Sequence, residues 1–395
     1  MRVCLLLIPV LAMAQEVPAG RELFVRLTSS ISTRTSQAAD AVHAVLIAPV
    51  TVEGHMAIPP GAEIHGTVKE IAQPVAGGRA SLVLTFNRIV IGGKTRPITA
   101  QVSSVDNARE KVNEQGQISG ILASETVTGQ LDTGLDKLSD QYSGLASILS
   151  AAKRAVLQDA STDISYPRGV EMTLKLAKPL SVPPVLFASP PAWSDADRKT
   201  LEQLIAREPY QTAAQIPSKP SDVTNLLLVA TKDDLRRAFT EAGWAGAASL
   251  NAMSKFETLR AAAEDRGYRE APVSVLLLDG KPPDMVFEKT NNTFARRHHL
   301  RIWRRPGAVG GKPIWAVAAT HDTGIDFSES DRTFIHRIDP QIDSEREKVV
   351  DDLLFTRRVQ AFELFDRPQV PRETSNATGD RIATDGKIAA LLFEW

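Results

Sequence analysis

Between residues 20 and 102, short apolar runs alternate with polar positions, and turn residues recur roughly every 8–12 positions. Leu23–Leu27, Val42–Val50, Ile64–Ile71 and Ala80–Ile91 read as strands, with Gly77-Gly78 and Gly92-Gly93 flanking the last of these. This rhythm predicts a small barrel or sandwich. From about Ile121 the period changes. Leu131, Leu135, Leu138, Tyr142, Leu145 and Ile148 recur at helical spacing, and the pattern continues through Val156. Strand character returns at Val170–Leu176 and ends before Pro179. The economical reading is an all-β domain over 18–185 that carries a helical insertion at about 131–158.

Residues 186–217 include Pro190, Pro191 and Pro217, whose fixed backbone disfavours regular interiors; the segment reads as a Pro-rich linker interrupted by a short helix, Asp195 to Arg207. A second domain spans 218–366. Val223–Ala230 is an apolar strand, and Thr231 caps a helix closed by Gly243. A second helix is expected at about Ser249–Glu264. Strands follow at Val273–Leu278, Met285–Glu288, Arg297–Trp303, Ile314–Ala319 and Phe334–Ile338. Helix Ser344–Arg358 and strand Val359–Leu364 complete the domain. Ser344 and Glu347 match a capping box, and Asp339 and Asp343 read as capping carboxylates. A tail occupies 367–395, with an apolar end at Ile388–Phe393 that docks as a strand or frays. The fold class is therefore multi-domain: an N-terminal all-β barrel or sandwich with a helical insertion, then a C-terminal α+β domain with a largely antiparallel sheet.

Composition narrows the function classes. The chain has 395 residues with 46 Lys+Arg against 47 Asp+Glu, a net charge of −1. That balance excludes a strongly basic nucleic-acid binder. The single Cys excludes an intrachain disulfide framework and a thiolate zinc site. The opening MRVCLLLIPVLAMAQ places Arg2 before an apolar run and then the small-x-small site Ala12-Met13-Ala14, the layout of a secretory signal peptide over residues 1–14. Cleavage after Ala14 removes Cys4 and sends a thiol-less chain to the periplasm or cell envelope. The run is too short to span a bilayer, and no later segment reaches spanning length, so no integral membrane segment is expected after cleavage.

Two resemblances refine this picture. Leu23–Ser30, the segment Ala57-Ile58-Pro59-Pro60-Gly61-Ala62-Glu63-Ile64-His65-Gly66, Arg79–Ile91 and Ile164–Val170 leading to Leu180 resemble the β-barrel of TrbI-type conjugation and type IV secretion proteins. That resemblance implies ring assembly in the outer envelope, and hence a homo-oligomer. The insert carries Asp136, Lys137, Asp140, Lys153 and Arg154, too polar for a membrane-crossing antenna. The second half is similar to the LssY-like C-terminal domain over about 218–365. The residues that carry the match are Ala242-Gly243-Trp244, Ala271-Pro272-Val273-Ser274, Arg296–Trp303, Ala319–Gly324 and His336–Pro340 with Ile342-Asp343. This implies a domain of uncharacterised activity, often joined elsewhere to lipid-phosphate-phosphatase segments that are absent here.

The ionisable groups concentrate in residues 296–343. Alternation on a strand puts His298 with Leu300 and Ile302 on one face, and Arg297, His299, Arg301 and Trp303 on the other. A symmetric hairpin sets His298 opposite about Ala319, with His321 within a pair or two, so His298, His299, His321 and Asp322 converge at its open end. His336 joins them if the next strand is adjacent. Three readings stay open. Arg296, Arg297 and Arg301 suit an anion or phosphoester, with His298, His299, His321, Asp322 and His336 as catalytic groups of a periplasmic hydrolase. His298, His321, His336 and a carboxylate suit a divalent metal. Alternatively the charges are structural and solvated. No diagnostic metal or cofactor motif appears, so cofactors stay unassigned. His43, His55 and His65 read as surface residues. The leading expectation is an exported binding or assembly module. Its partner would be an envelope protein or a small anionic ligand. A hydrolase would instead need its histidines within hydrogen-bond reach around a concave pocket.

Overall fold

The computed structural model describes residues 15–53, 55–74, 78–122, 162–182, 192–214, 218–246, 276–289, 296–328 and 333–394. The leader, the helical insertion at 131–158 and the helix expected at Ser249–Glu264 lie outside these residues.

The N-terminal domain is a closed barrel of six strands: β1 (Glu22–Leu27), β2 (Ala41–Leu46), β3 (Glu63–Ala72), β4 (Ser81–Ile91), β5 (Lys94–Val105) and β6 (Glu171–Leu176). The order is β4-β3-β2-β1-β6-β5, and β5 returns to β4 to close the ring; all pairs are antiparallel. Closure removes the edges that an open sheet would expose. Each strand alternates as its sequence dictates. Ile64 and Val68 of β3 and Leu82, Leu84 and Phe86 of β4 point inward and are buried with Leu23, Val25, Val102 and Leu174. Gly66 sits at a bulge in β3, between its pairings with β2 and β4. A Cβ there would stand 2.1 Å from the Thr85 carbonyl oxygen. Gly66→Ala is therefore expected to lower stability by about 2 kcal/mol, as overpacking against backbone does. Urea unfolding checks this, and an unchanged midpoint would refute it.

The C-terminal domain is built on one large sheet. Its strands are β7 (Leu226–Val229), β8 (Met285–Lys289), β9 (Arg297–Val309), β10 (Lys312–Ser328), β11 (Thr333–Ile338), β12 (Val359–Asp366) and β13 (Lys387–Phe393), with the short edge segment Trp244–Gly246 on β8. The path is β8-β9-β10-β7-β13-β12, with β11 on β10. Only β7 and β13 pair in parallel. The apolar run Ile388–Phe393 thus becomes an interior strand.

Helices cover both faces of this sheet. On one side α2 (Lys232–Glu241) and α3 (Ile342–Phe355) bury Leu235, Phe239, Val349 and Leu353 against Leu300, Ile302 and Val317. On the other, α1 (Asp195–Ile205) seats Leu201 and Ile205 with Trp193 on Val229 and Ile314. That covering layer comes from the segment whose prolines read as a linker. Burial on both faces explains why β7 is a continuous apolar run rather than an alternating one.

Helix α3 begins at Ile342, two residues before the expected start, so the capping box at Ser344 does not form. Gln341 occupies the N-cap without a side-chain bond. Asp339 accepts instead from the Gln341 amide at 2.8 Å. Asp343 is taken by Arg346 (3.0 Å) and by Thr384 (2.9 Å).

Candidate functional site

The candidate site grows from the hairpin β9–β10. Its turn is Gly310-Gly311, both at positive φ (55° and 77°), which suits a tight two-residue reversal. A bulge between Arg305 and Ala308 then shifts the register. His298 consequently lies directly opposite His321 rather than Ala319, and Arg297 lies opposite Asp322.

The sheet divides the ionisable residues between its faces. His298 and His321 share the face that meets the barrel. Their rings stack with centroids 4.0 Å apart and planes 13° apart. Arg297, His299, Arg301 and Asp322 are buried and paired among themselves and with neighbours. Arg297 Nη2 reaches Asp322 Oδ2 at 3.0 Å, and His299 Nε2 donates to Asp322 Oδ1 at 2.8 Å. Arg301 Nη1 donates to Asp222 Oδ2 at 2.9 Å. Arg297 and Arg301, two of the three arginines expected to take an anion, are thus paired with internal carboxylates. Arg296 Nη1 donates to the Ala108 carbonyl of the barrel at 3.0 Å. His336 of β11 pairs through its backbone with Ile325 of β10, four positions along that strand from His321.

The barrel completes the His298 face. Asp106 and Asn107 follow β5, and Asn107 adopts φ 56° in the turn that presents them. His298 is 3% exposed, donates through Nδ1 to Glu345 Oε2 of α3 (2.7 Å), and donates through Nε2 to Asp106 (3.1 Å). Burial opposes a charge on this ring, but the two carboxylates outweigh it and raise its pKa to about 9. Burial and then the neighbouring His298 charge push His321 down to about 4. His321 Nε2 donates to Asn107 Oδ1 at 3.1 Å. Asp106, Asn107 and Glu345 were not among the expected site residues. The Asp-Asn step after a strand is a turn signal, but nothing local reveals that it meets a strand 192 residues away.

Beside this cluster lies a buried ion network between the domains. Glu171 of β6 accepts from Arg26 Nη2 (2.9 Å), Lys289 Nζ (2.7 Å) and Lys348. Asp352 of α3 accepts from Lys289 Nζ (2.8 Å) and from the Trp244 indole (3.0 Å). The Ala242 carbonyl accepts from Arg26 (2.6 Å) and Lys289 (2.9 Å). Gly243, at φ +82°, leaves room for the Arg26 guanidinium, which a Cβ would meet at 3.2 Å. Burial would raise the Glu171 carboxyl, but Lys289, Lys348 and Arg26 hold it well below the ordinary carboxylate range.

A cavity of about 410 Å³ opens between the domains. Phe24, Ile47, Ala48 and Met172 form its apolar barrel wall, and His298, His321, Glu345, Lys348 and Asp351 line the opposite wall.

The sequence of that opposite wall matches a known family. Residues 200–388 match the family described as LssY C-terminus. The second half of the chain is therefore similar to an LssY C-terminal domain. Ala242, Gly243, Trp244, His298 and His321, which carried the expected resemblance, are residues of the LssY-like domain that meet the barrel or the groups beside it. Among solved structures, the chain is similar to ComB10 of the Com type IV secretion system of Helicobacter pylori. That match has 13% identity, covers 42% of this chain and 88% of that one, and has a TM-score of 0.22. No curated protein matches the chain. Among the described residues, no helix is long and apolar enough to cross a membrane.

Proposed function

We propose that the protein is an exported envelope binding module whose barrel and LssY-like domain together receive a ligand in the cleft between them. The observation that carries this reading is the two-sided wall of the cleft. Phe24 is 46% exposed although aromatic, and it stands with Ile47 and Met172 across from a wall of ionisable groups. Apolar surface left open in a concave site is characteristic of ligand sites. The acids Asp106, Glu171, Glu345, Glu347, Asp351 and Asp352 outnumber the cations at this cleft, so a ligand with an apolar portion and positive charge fits better than an anion. The export half of the reading rests on the leader.

The neutral probe N-phenyl-1-naphthylamine tests the cleft. Saturable binding is expected, and Phe24→Ser is expected to weaken it about tenfold, a loss near 1.4 kcal/mol. Unsaturable or unchanged binding would refute the cleft. N-terminal sequencing from an envelope fraction is expected to start at Gln15. An intact leader on cytosolic protein would refute export.

The stacked His298–His321 pair favours a second reading, a hydrolase in the same cleft. Turnover of a phosphoester that His321→Ala abolishes would replace the binding reading.

A further inference from the structure

We infer that the cleft holds a divalent transition-metal ion, zinc by preference, ligated by Asp106 of the barrel with His298 and His321 of the LssY-like domain. One ligand atom from each of these three residues lies within 4.8 Å of the others. Two imidazoles and a carboxylate form a donor set that suits zinc and its neighbours, and three protein ligands leave a coordination position open to the cavity. A tetrahedral ion with bonds of ~2.1 Å holds its ligands about 3.4 Å apart. His298 Nε2 and Asp106 already stand 3.1 Å apart. A short approach of His321, which already stands within 4.8 Å of both, completes the set.

The surroundings match what a metal-bound histidine requires. A ligating imidazole ordinarily gives its other nitrogen to a carboxylate or carbonyl, which fixes the ring. His298 Nδ1 is bound to Glu345 Oε2 at 2.7 Å, and the proton that Nε2 gives to Asp106 leaves to solvent when that nitrogen takes the ion. His321 Nε2 is bound to the Asn107 side-chain oxygen at 3.1 Å, and its Nδ1 has no hydrogen-bond partner among the described residues. A further observation points to a cation at this place. Glu345 Oε1 is buried and has no hydrogen-bond partner among the described residues, although Glu345 lines the cavity. An unpaired buried carboxylate oxygen is costly and is relieved by a nearby positive charge. Because the ligands come from both domains, the ion would also bridge them.

This site shares the cleft of the proposed binding function but not its ligand, so each can fail alone. The test is calorimetric titration of the purified protein, stripped with EDTA and dialysed, with Zn²⁺ alone. One equivalent is expected to bind with a micromolar or tighter Kd. His321→Ala and Asp106→Asn are each expected to weaken that binding at least tenfold while circular dichroism stays native. The barrel surface holds a competing imidazole pair, His43 and His65, with their Nδ1 atoms 2.8 Å apart. His65→Ala is therefore the control and is expected to leave the affinity unchanged. Absence of zinc binding, undiminished binding in His321→Ala, or loss confined to His65→Ala would each overturn the assignment. Retained naphthylamine binding in any of those cases would leave the cleft reading standing.

Discussion

Glu171→Ala is expected to remove about 3–5 kcal/mol of stability, the largest single-residue effect in this molecule. Glu171 is 3% exposed and faces three cations, Arg26, Lys289 and Lys348. Its loss leaves Lys289 buried with Asp352 as its remaining carboxylate partner, which Arg26 also contacts at 3.2 Å. Desolvating a charge without a matched partner costs several kcal/mol, which is why breaking a buried pair is worse than never having had it. The damage falls on the domain interface, because Arg26 and Glu171 belong to the barrel and Lys289, Lys348 and Asp352 to the LssY-like domain. Calorimetric unfolding should therefore change from one cooperative transition to two, with the barrel and the LssY-like domain melting apart. Adding Lys289→Met to Glu171→Ala removes one orphaned cation and is expected to recover part of the loss. A loss under about 1 kcal/mol for Glu171→Ala would show the network to be solvent-compensated, as surface ion pairs are.

How much of this was legible in the chain depends on the range of each interaction. The period-two alternation of Arg296–Trp303 placed His298 and His299 on opposite faces, and the structure keeps them there. The alternation of β3 and β4 likewise exposed the barrel. Register was less legible. A two-residue glycine turn and the bulge at Arg305–Ala308 moved His321 into direct opposition to His298, and a bulge leaves little trace in an Arg-Pro-Gly stretch. The pairing of β13 with β7 was invisible for a different reason: strands separated by the whole domain have no shared local pattern. The site's barrel half was hidden in the same way. Asp106, Asn107, Arg26 and Glu171 look like ordinary turn and strand-surface residues until the second domain covers them. Even Ala242-Gly243-Trp244, which reads as a helix stop, carries the further task of seating Arg26 and Asp352.

The second large effect concerns pH. Asp351 lies on α3 at the cavity wall, where burial, then the carboxylates of Asp352 and Glu347, raise its pKa from 3.8 to about 7; Lys348 only partly offsets them. The native state thus retains a proton between roughly pH 4 and 7 that the unfolded chain has already released. Stability associated with that proton is fully present below the unfolded value and is lost as pH rises through the folded one. Above pH 7 the folded protein carries the whole penalty of an ionised Asp351. Asp351→Asn removes the ionisation and keeps the shape. It is expected to stabilise the protein at pH 8 by on the order of 3 kcal/mol, and by about 2 kcal/mol less at pH 5. Urea midpoints of wild type and variant, measured at both pH values, read the difference directly. A gain of equal size at pH 5 and pH 8 would mean that the amide improves packing or hydrogen bonding at the cavity wall, and that ionisation of Asp351 does not limit stability there.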